Sequence, residues 1–324
     1  MKQSVLVLTN SRDQTADFLS GKLHEIGVPF VRLNTDGLAD STVLSATQST
    51  SDLVVDGRAY TADSFAHVWL RRPQPLTLHL SSDPAENSHI QREWSAAVEG
   101  WLARIPPPRW INHPVANVSA SYKIEQLFRA ERLGLCVPDT LVTQSFEEAK
   151  RFYDAHGGAI VVKPITGGYI ERDDPNADTV IYTQVVSSEK LSLFPAGIAC
   201  PTLLQQRVRK KCDVRVTVLD EDLHAVALTA IGTAAGQPLD VRQNNFIDID
   251  HEPIELPDVV ESRIRDYVRS YGLRFAAIDM AVNDRDAWVF FELNPNGEWA
   301  WLDLAGAADI ARSFIKTFRR CDDA

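Results

Sequence analysis

Phe290-Phe291-Glu292-Leu293-Asn294-Pro295-Asn296-Gly297 closes an apolar run with a carboxylate and a carboxamide two residues apart. In a strand, residues i and i+2 point to the same face. Glu292 and Asn294 therefore offer two hard oxygen ligands side by side. Such a set suits Mg²⁺, an ion held by one or two carboxylates together with substrate phosphates. Upstream, Ala277-Ile278-Asp279-Met280-Ala281-Val282 predicts a neighbouring strand with one inward carboxylate. Asp279, Glu292 and Asn294 on adjacent strands are thus the expected metal ligands, and a Mg-nucleotide site is the expected context.

Working outward, residues 4–9 and 29–33 predict strands around a helix at 16–26, a βαβ start with parallel pairing. Strands follow at 42–47, 53–55 and 67–71, with a turn at Asp56-Gly57 and a helix at 84–104. Ile105-Pro106-Pro107-Pro108-Arg109 breaks the pattern, which sets a domain boundary near residue 110. Beyond it the spacing predicts a helix at 115–133, a strand at 140–143 and a helix from 145 to 156 that starts on the capping box Ser145-x-x-Glu148. A buried strand at 159–163 ends in Lys163, followed by the loop Thr166-Gly167-Gly168-Tyr169 and a strand at 179–186. Consecutive strands are expected at 202–208, 213–219 and 224–231. A helix at 258–271, the two metal-bearing strands and a helix at 303–320 complete the chain. The fold class is mixed α/β and α+β, divided as 1–110, 111–204 and 205–324.

Composition narrows the function. The 324 residues carry a net charge of −11, without the basic footprint that non-specific nucleic-acid binding needs. No apolar run approaches the length of a membrane span. Cys136, Cys200, Cys212 and Cys321 are scattered and form no C-x-x-C pair, so neither a zinc site nor a disulfide framework is read. The cytoplasm is the expected compartment.

Other residues supply cationic chemistry. Lys163, at a strand end before Gly167 and Gly168, could meet phosphate oxygens while the glycine loop folds over them; a surface lysine reads the same. Lys123 is by itself an ordinary helix lysine. Gln205, Gln206, Arg207 and Val208 could form a hinge whose backbone reads an adenine edge. Asp213-x-Arg215 places a carboxylate and a guanidinium on one strand face, either to clamp an anion or as a cross-strand ion pair. Arg242-x-Asn244 and Arg71-Arg72 are further anion candidates. Trp299 and Trp301 are expected to pack rather than stack on a ligand. Arg207, Arg209, Lys210, Lys211 and Arg215 form a basic stretch able to attract an acidic peptide.

In chain order these features are a lysine, a lysine with a glycine loop, a hinge, D-x-R, a carboxylate strand and an E-x-N strand. That order resembles the ATP-grasp superfamily over residues 112–324, with residues 1–110 resembling the βα pre-ATP-grasp domain. His67-Val68-Trp69-Leu70-Arg71-Arg72-Pro73, Asn112-His113-Pro114, Val162-Lys163-Pro164, Lys211-Cys212-Asp213-Val214-Arg215 and Phe291 to Trp299 are similar to the microviridin-type graspetide synthetases. The resemblance implies an ATP- and Mg²⁺-dependent ligase that closes lactone or lactam rings in a ribosomal precursor peptide, leader plus acidic core, as a homodimer. It implies that Lys123 and Lys163 hold ATP phosphates and that residues 205–208 carry the hinge. Asp279, Glu292 and Asn294 would bind Mg²⁺, and Arg215, Asp213 and Arg242 would serve catalysis. Gly167-Gly168 is the expected lid, and leader docking is expected around 193–201 and 213–231. Ligation of free amino acids, or of glutamate to a protein terminus, is the alternative within the same chemistry. A non-catalytic, leader-binding partner is the alternative outside it.

Overall fold

The computed structural model describes residues 3–38, 42–47, 49–74, 81–170, 179–192, 200–231, 237–239 and 249–319. Arg242, Asn244, Cys321 and residues 193–199 of the expected leader region lie outside them.

The chain opens with β1 (Ser4–Thr9), α1 (Gln14–Glu25) and β2 (Phe30–Asn34). Asp13 caps α1 by accepting the Ala16 N–H. β1 pairs in parallel with β2 and with β6 (Phe65–Leu70). Between them β3 (Thr42–Ala46), β4 (Ser51–Val55) and β5 (Arg58–Tyr60) form a small antiparallel sheet, with Asp56 and Gly57 at positive φ in its turn. After α2 (Pro84–Leu102), β7 (Trp110–Ile111) completes a parallel sheet in the order β2-β1-β6-β7.

The expected helix at 115–133 is two helices, α3 (Pro114–Ala120) and α4 (Lys123–Arg132). The buried Gln126 side chain takes the Ala120 carbonyl at 2.6 Å, and Ser121 Oγ takes the Asn117 carbonyl at 2.8 Å. Side chains thus satisfy the end of α3 in place of a continued helical ladder.

A second sheet, β12-β9-β13-β8, is antiparallel. It comprises β8 (Thr140–Thr143), β9 (Ile160–Lys163), β12 (Gln184–Val185) and β13 (Thr202–Gln206), with α5 (Phe146–Ala155) packed on it. The expected strand at 179–186 is divided: β11 (Thr179–Val180) pairs with β10 (Tyr169–Ile170), while β12 joins β9. The short helix α6 (Ser188–Ser192) follows β12.

The third sheet runs β16-β15-β14-β17-β18. Its strands are β14 (Lys210–Leu219), β15 (Asp222–Ala230), β16 (Ile249–Pro253), β17 (Phe275–Asn283) and β18 (Trp288–Asn294). α7 (Asp258–Ser270) packs on one face through Val260, Ile264, Tyr267 and Val268, which share a core with Val214, Val216, Ile278 and Phe290. The helix expected at 303–320 is α8 (Ala300–Leu304) and α9 (Ile310–Arg319). Gly306 at positive φ ends the first, and the Asp303 carboxylate caps the second, accepting from Ile310 and Ala311 N–H at 2.8 Å.

Two features position the site. The core is continuous across residue 110: Val5, Leu19 and Trp69 share one cluster with Leu219, Phe275, Trp299 and Phe314. Residue 204 lies inside β13, and α3 and α4 pack on the third sheet through Ala120 and Ala130.

Candidate active site

The segment Phe291–Trp299 is held at nearly every residue. β18 carries a bulge at Phe291, because Asp279 stands opposite Glu292 while Met280 stands opposite Phe290. Leu293, between Glu292 and Asn294, is gripped by Gln126: its N–H donates to Gln126 Oε1 at 2.9 Å and its carbonyl accepts from Nε2 at 2.8 Å. Asn112 Nδ2 donates to Pro295 O at 3.1 Å and Phe275 O at 2.8 Å, while its Oδ1 accepts from Arg274 and Phe275 N–H at 2.8 Å. Asn117 Nδ2 donates to Asn296 Oδ1 at 2.9 Å. A Cβ on Gly297 would overlap Ala277 Cβ, so only glycine lets the turn lie on β17.

Arg71 closes the far end. Its side chain is 1% exposed, 3.4 Å from Asp13 and 2.5 Å from Glu298. It also donates to Asn296 O, and Thr15 donates to Glu298. Desolvation lowers the pKa of this guanidinium, and the Glu298 and Asp13 carboxylates oppose that shift. Arg71 is therefore matched to protein carboxylates and is a clamp between β6 and the 294–298 turn, which corrects its reading as an anion site. Arg72 also meets Glu298, at 2.6 Å, but is half exposed.

Asp279, Glu292 and Asn294 come together as expected, with Asn294 Nδ2 3.5 Å from Glu292 Oε1. No cluster of three His, Cys, Asp or Glu able to hold a metal occurs among the described residues. Two carboxylates and an amide are a sparse, all-oxygen set. It fits Mg²⁺ that shares its coordination with phosphate oxygens and does not fit a closed structural metal site.

The lysines link this strand to the second sheet. Lys123 Nζ, at the start of α4, lies 3.0 Å from Glu292 Oε2 and donates to Pro164 O at 3.1 Å and Thr166 O at 3.4 Å. Lys163, at the end of β9, lies 4.5 Å from the centre of the Phe291 ring. The bulge turns that ring toward the cation. The glycines differ: Gly167 has open space around its Cβ position. At Gly168 (φ +68°) a Cβ would stand 2.6 Å from Ile181 O.

The hinge segment is mostly committed inward. Gln205 is buried and donates to Thr140 Oγ1 at 2.9 Å. The N–H groups of Gln206 and Arg207 donate to Asp139 O and Ala159 O at 2.8 Å. Val208 follows the end of β13.

Asp213 and Arg215 share a face of β14. Arg215 Nε is 3.2 Å from Asp279 Oδ1, yet Nε and Nη1 are buried without a hydrogen-bond partner among the described residues. Arg215 stands directly opposite Asp279, so the pair is the cross-strand ion pair, and the buried Nη1 keeps a donor that an anion could take. Trp301 packs against the core and edge-on against His251 as expected, and it also lines the adjoining cleft with its ring 5.9 Å from the Arg215 guanidinium; Trp299 is fully buried. The expected basic stretch is not one patch, since Lys210 is bound to Asp213 while Lys211 points to Asp286.

A cleft of about 1450 Å³ leads away from Asn294. One wall is the carboxyl end of the parallel sheet, at Leu8, Asn10, Thr35 and Leu70, with Arg12 and Arg72 beside it. Open parallel sheets take ligands at this edge. The other wall is Trp94 and Val98 of α2 with Val115 and Val118 of α3. Gln126 and this cleft were missed from sequence, and Asn112 and Glu298 stood there only inside quoted motifs, without a role. Only the capping pattern of His113-Pro114, where His113 Nδ1 accepts the Val115 N–H, carried a local signal.

Residues 4–118 match the MvdD pre-ATP grasp domain. No curated protein sequence matches the chain. Among solved structures, the chain is similar to a RiPP-associated ATP-grasp ligase of Chryseobacterium gregarium in complex with ADP and a leader and core peptide. The two share 28% identity over 99% of this chain and 97% of that one, with a TM-score of 0.86. The macrocyclase MdnC of Microcystis aeruginosa MRC, bound with precursor peptide MdnA, is 22% identical over 98% and 100%, with a TM-score of 0.84. The ATP-grasp ligase PsnB, complexed with minimal precursor, Mg and ADP, is 20% identical over 98% and 97%, with a TM-score of 0.77. The paired carboxylate strands, the lysines that cross between two sheets, the matched N-terminal domain and this likeness over the full length lead to one conclusion: the chain is a ligase of ATP-grasp fold with an MvdD-type pre-ATP grasp domain, similar over its length to RiPP-associated ATP-grasp ligases.

Proposed function

We propose that this ligase macrocyclises an acidic precursor peptide, joining Asp or Glu side chains to Ser, Thr or Lys side chains of the same chain. The observation that carries the reading is the Arg215 guanidinium, paired with Asp279 but with Nη1 buried and unbonded, next to Trp301, which lines a cleft of about 1450 Å³ that also reaches Asn294. In the proposed site Lys123 and Lys163 bind ATP phosphates, and residues 205–208 border the adenine, with Val208 supplying the outward backbone. Asp279, Glu292 and Asn294 hold Mg²⁺, which when bound offsets phosphate charge during in-line transfer.

A peptide carboxylate displaces ADP from the γ-phosphate to give an acyl phosphate, with Arg215 binding the anionic end. A hydroxyl or amine on the same peptide then attacks the acyl carbon. An ester or amide forms, the C–O bond to phosphate breaks, and the nucleophile's proton leaves on the inorganic phosphate. Lys123 trades its contact with Glu292 for phosphate oxygens when nucleotide enters. The loop it also holds, Pro164 to Thr166, carries Gly167 and Gly168 toward the phosphates and excludes water. Arg12 and Arg72 border the cleft where acidic core residues pass. The leader and a homodimeric partner belong to the same proposal. Among the described residues no helix is long and apolar enough to cross a membrane.

The test is mass spectrometry of a short acidic Ser/Thr/Lys-containing peptide with the protein, ATP and Mg²⁺. ATP-dependent loss of one or more waters is expected, and Glu292→Gln should abolish it. ADP release driven by free amino acids, with the peptide unmodified, would favour the amino-acid ligase reading instead.

A further inference from the structure

We propose that Lys210 is a positioning residue of this site, holding Asp213 as a fixed anion beside Arg215, so that Asp213 orients groups and does not abstract a proton. The inference rests on the acyl-transfer reading above.

In an unbroken strand Lys211, Asp213 and Arg215 would share one face and Lys210 the other. The structure reverses this. On β14, Lys210 stands opposite Asn283 and Cys212 opposite Val282, so Lys211 is an extra, bulged residue. The bulge swings Lys210 onto the face of Asp213 and Arg215. Lys211 is left in solvent, 2.5 Å from the exposed Asp286. Lys210 Nζ donates to both Asp213 oxygens, at 2.7 and 2.6 Å, and to Leu239 O at 3.2 Å. All three ammonium donors are thereby used. The Lys210 side chain is 8% exposed and that of Asp213 14%.

A carboxylate with both oxygens on a buried ammonium gives up charge-assisted bonds if it accepts a proton, which makes it a poor base and a good fixed anion. The acyl-transfer step does not require such a base, because the released phosphate carries the proton away.

The experiment is a double-mutant cycle of Lys210→Met and Asp213→Asn, read on ADP release and on peptide water loss, with Lys210→Arg as the conservative variant. Thermal unfolding and the pH–rate profile are measured on each protein. Each single variant is expected to lower kcat by roughly tenfold to a hundredfold, with KM for ATP and peptide little changed. Lys210→Arg should recover part of the loss. The double variant removes both charges of the pair together and should fold, losing no more activity than the worse single. Asp213→Asn should keep the wild-type pH profile at its reduced rate, since no titrating base is removed. Lys211→Ala is the control and should match wild type. Multiplying losses in the double variant, a pH limb that disappears with Asp213→Asn, or normal kcat in folded Lys210→Met would each overturn the proposal. If wild type releases ADP but leaves peptide unmodified, the peptide reading fails while the cycle remains readable on ADP release.

Discussion

Replacing Gln126 by Ala should damage the metal end of the site without touching any ligand. Gln126 is 2% exposed, and its amide is the only side chain among the described residues that holds both backbone groups of Leu293. The alanine variant orphans the Leu293 N–H, the Leu293 carbonyl and the Ala120 carbonyl, all buried. Each unsatisfied buried group costs ~1–3 kcal/mol, and water entering the vacated space favours the low end. A loss of about 3–5 kcal/mol follows, a large part of the ~5–15 kcal/mol typical of a folded chain. Because Leu293 lies between Glu292 and Asn294, the strand would shift at both ligands. Misplacement of about 1 Å costs on the order of 100-fold in rate. Gln126→Glu sharpens the test, since it keeps the acceptor for the Leu293 N–H but sets an oxygen against two carbonyls. Thermal unfolding should fall by at least ~6 °C in the alanine variant. The Mg²⁺ concentration for half-maximal ADP release should rise in both variants. An alanine variant with wild-type kcat, Mg²⁺ dependence and melting temperature would refute the reasoning.

Four further outcomes are expected. Gly168→Ala should cut activity strongly while Gly167→Ala is tolerated, because only the first meets backbone at Ile181; equal effects in steady-state kinetics would count against the loop assignment. Arg71→Met should destabilise by about 3–5 kcal/mol and Arg71→Lys should not restore it, since one buried guanidinium serves Asp13, Glu298 and Asn296 together; denaturant unfolding decides. His67 is buried, and desolvation first, then the Arg274 charge, pushes its pKa down to about 4. The unfolded chain therefore binds a proton that the fold refuses between pH 6.5 and 4, and about 3 kcal/mol of stability present at pH 7 is lost across that window; His67→Gln should flatten the slope, and an unchanged slope would exclude His67 as its source. Tyr122, the N-cap of α4, and Ile124 and Phe128 on α4 are exposed; for the proposed homodimer, Tyr122→Asp with Phe128→Asp should lower the mass read by light scattering to that of one chain, and an unchanged dimer mass would exclude this face.

Strand periodicity made the main sheets and the E-x-N strand legible, because it depends on local spacing, while Lys123 looked like an ordinary helix lysine and stood out only through the order of the motifs. The misreadings share one cause: local patterns were continued where a distant side chain interrupts them. Gln126 ends α3, Asp303 caps α9 across Gly306, and both are invisible to a helical wheel. The bulges at Lys211 and Phe291 are likewise settled by register with β17, and a one-residue slip moves a side chain to the other face. Each bulge brings a side chain to the site that strict alternation assigns to the core, Lys210 in one case and Phe291 in the other. The Arg71 misreading is of the same kind, since its carboxylate partners lie 58 and 227 positions away in sequence, at Asp13 and Glu298. A carboxylate pair can be read from a strand; the residues that aim it are distributed over α3, α4 and the segments just after β6 and β7, and become visible only when the chain is folded.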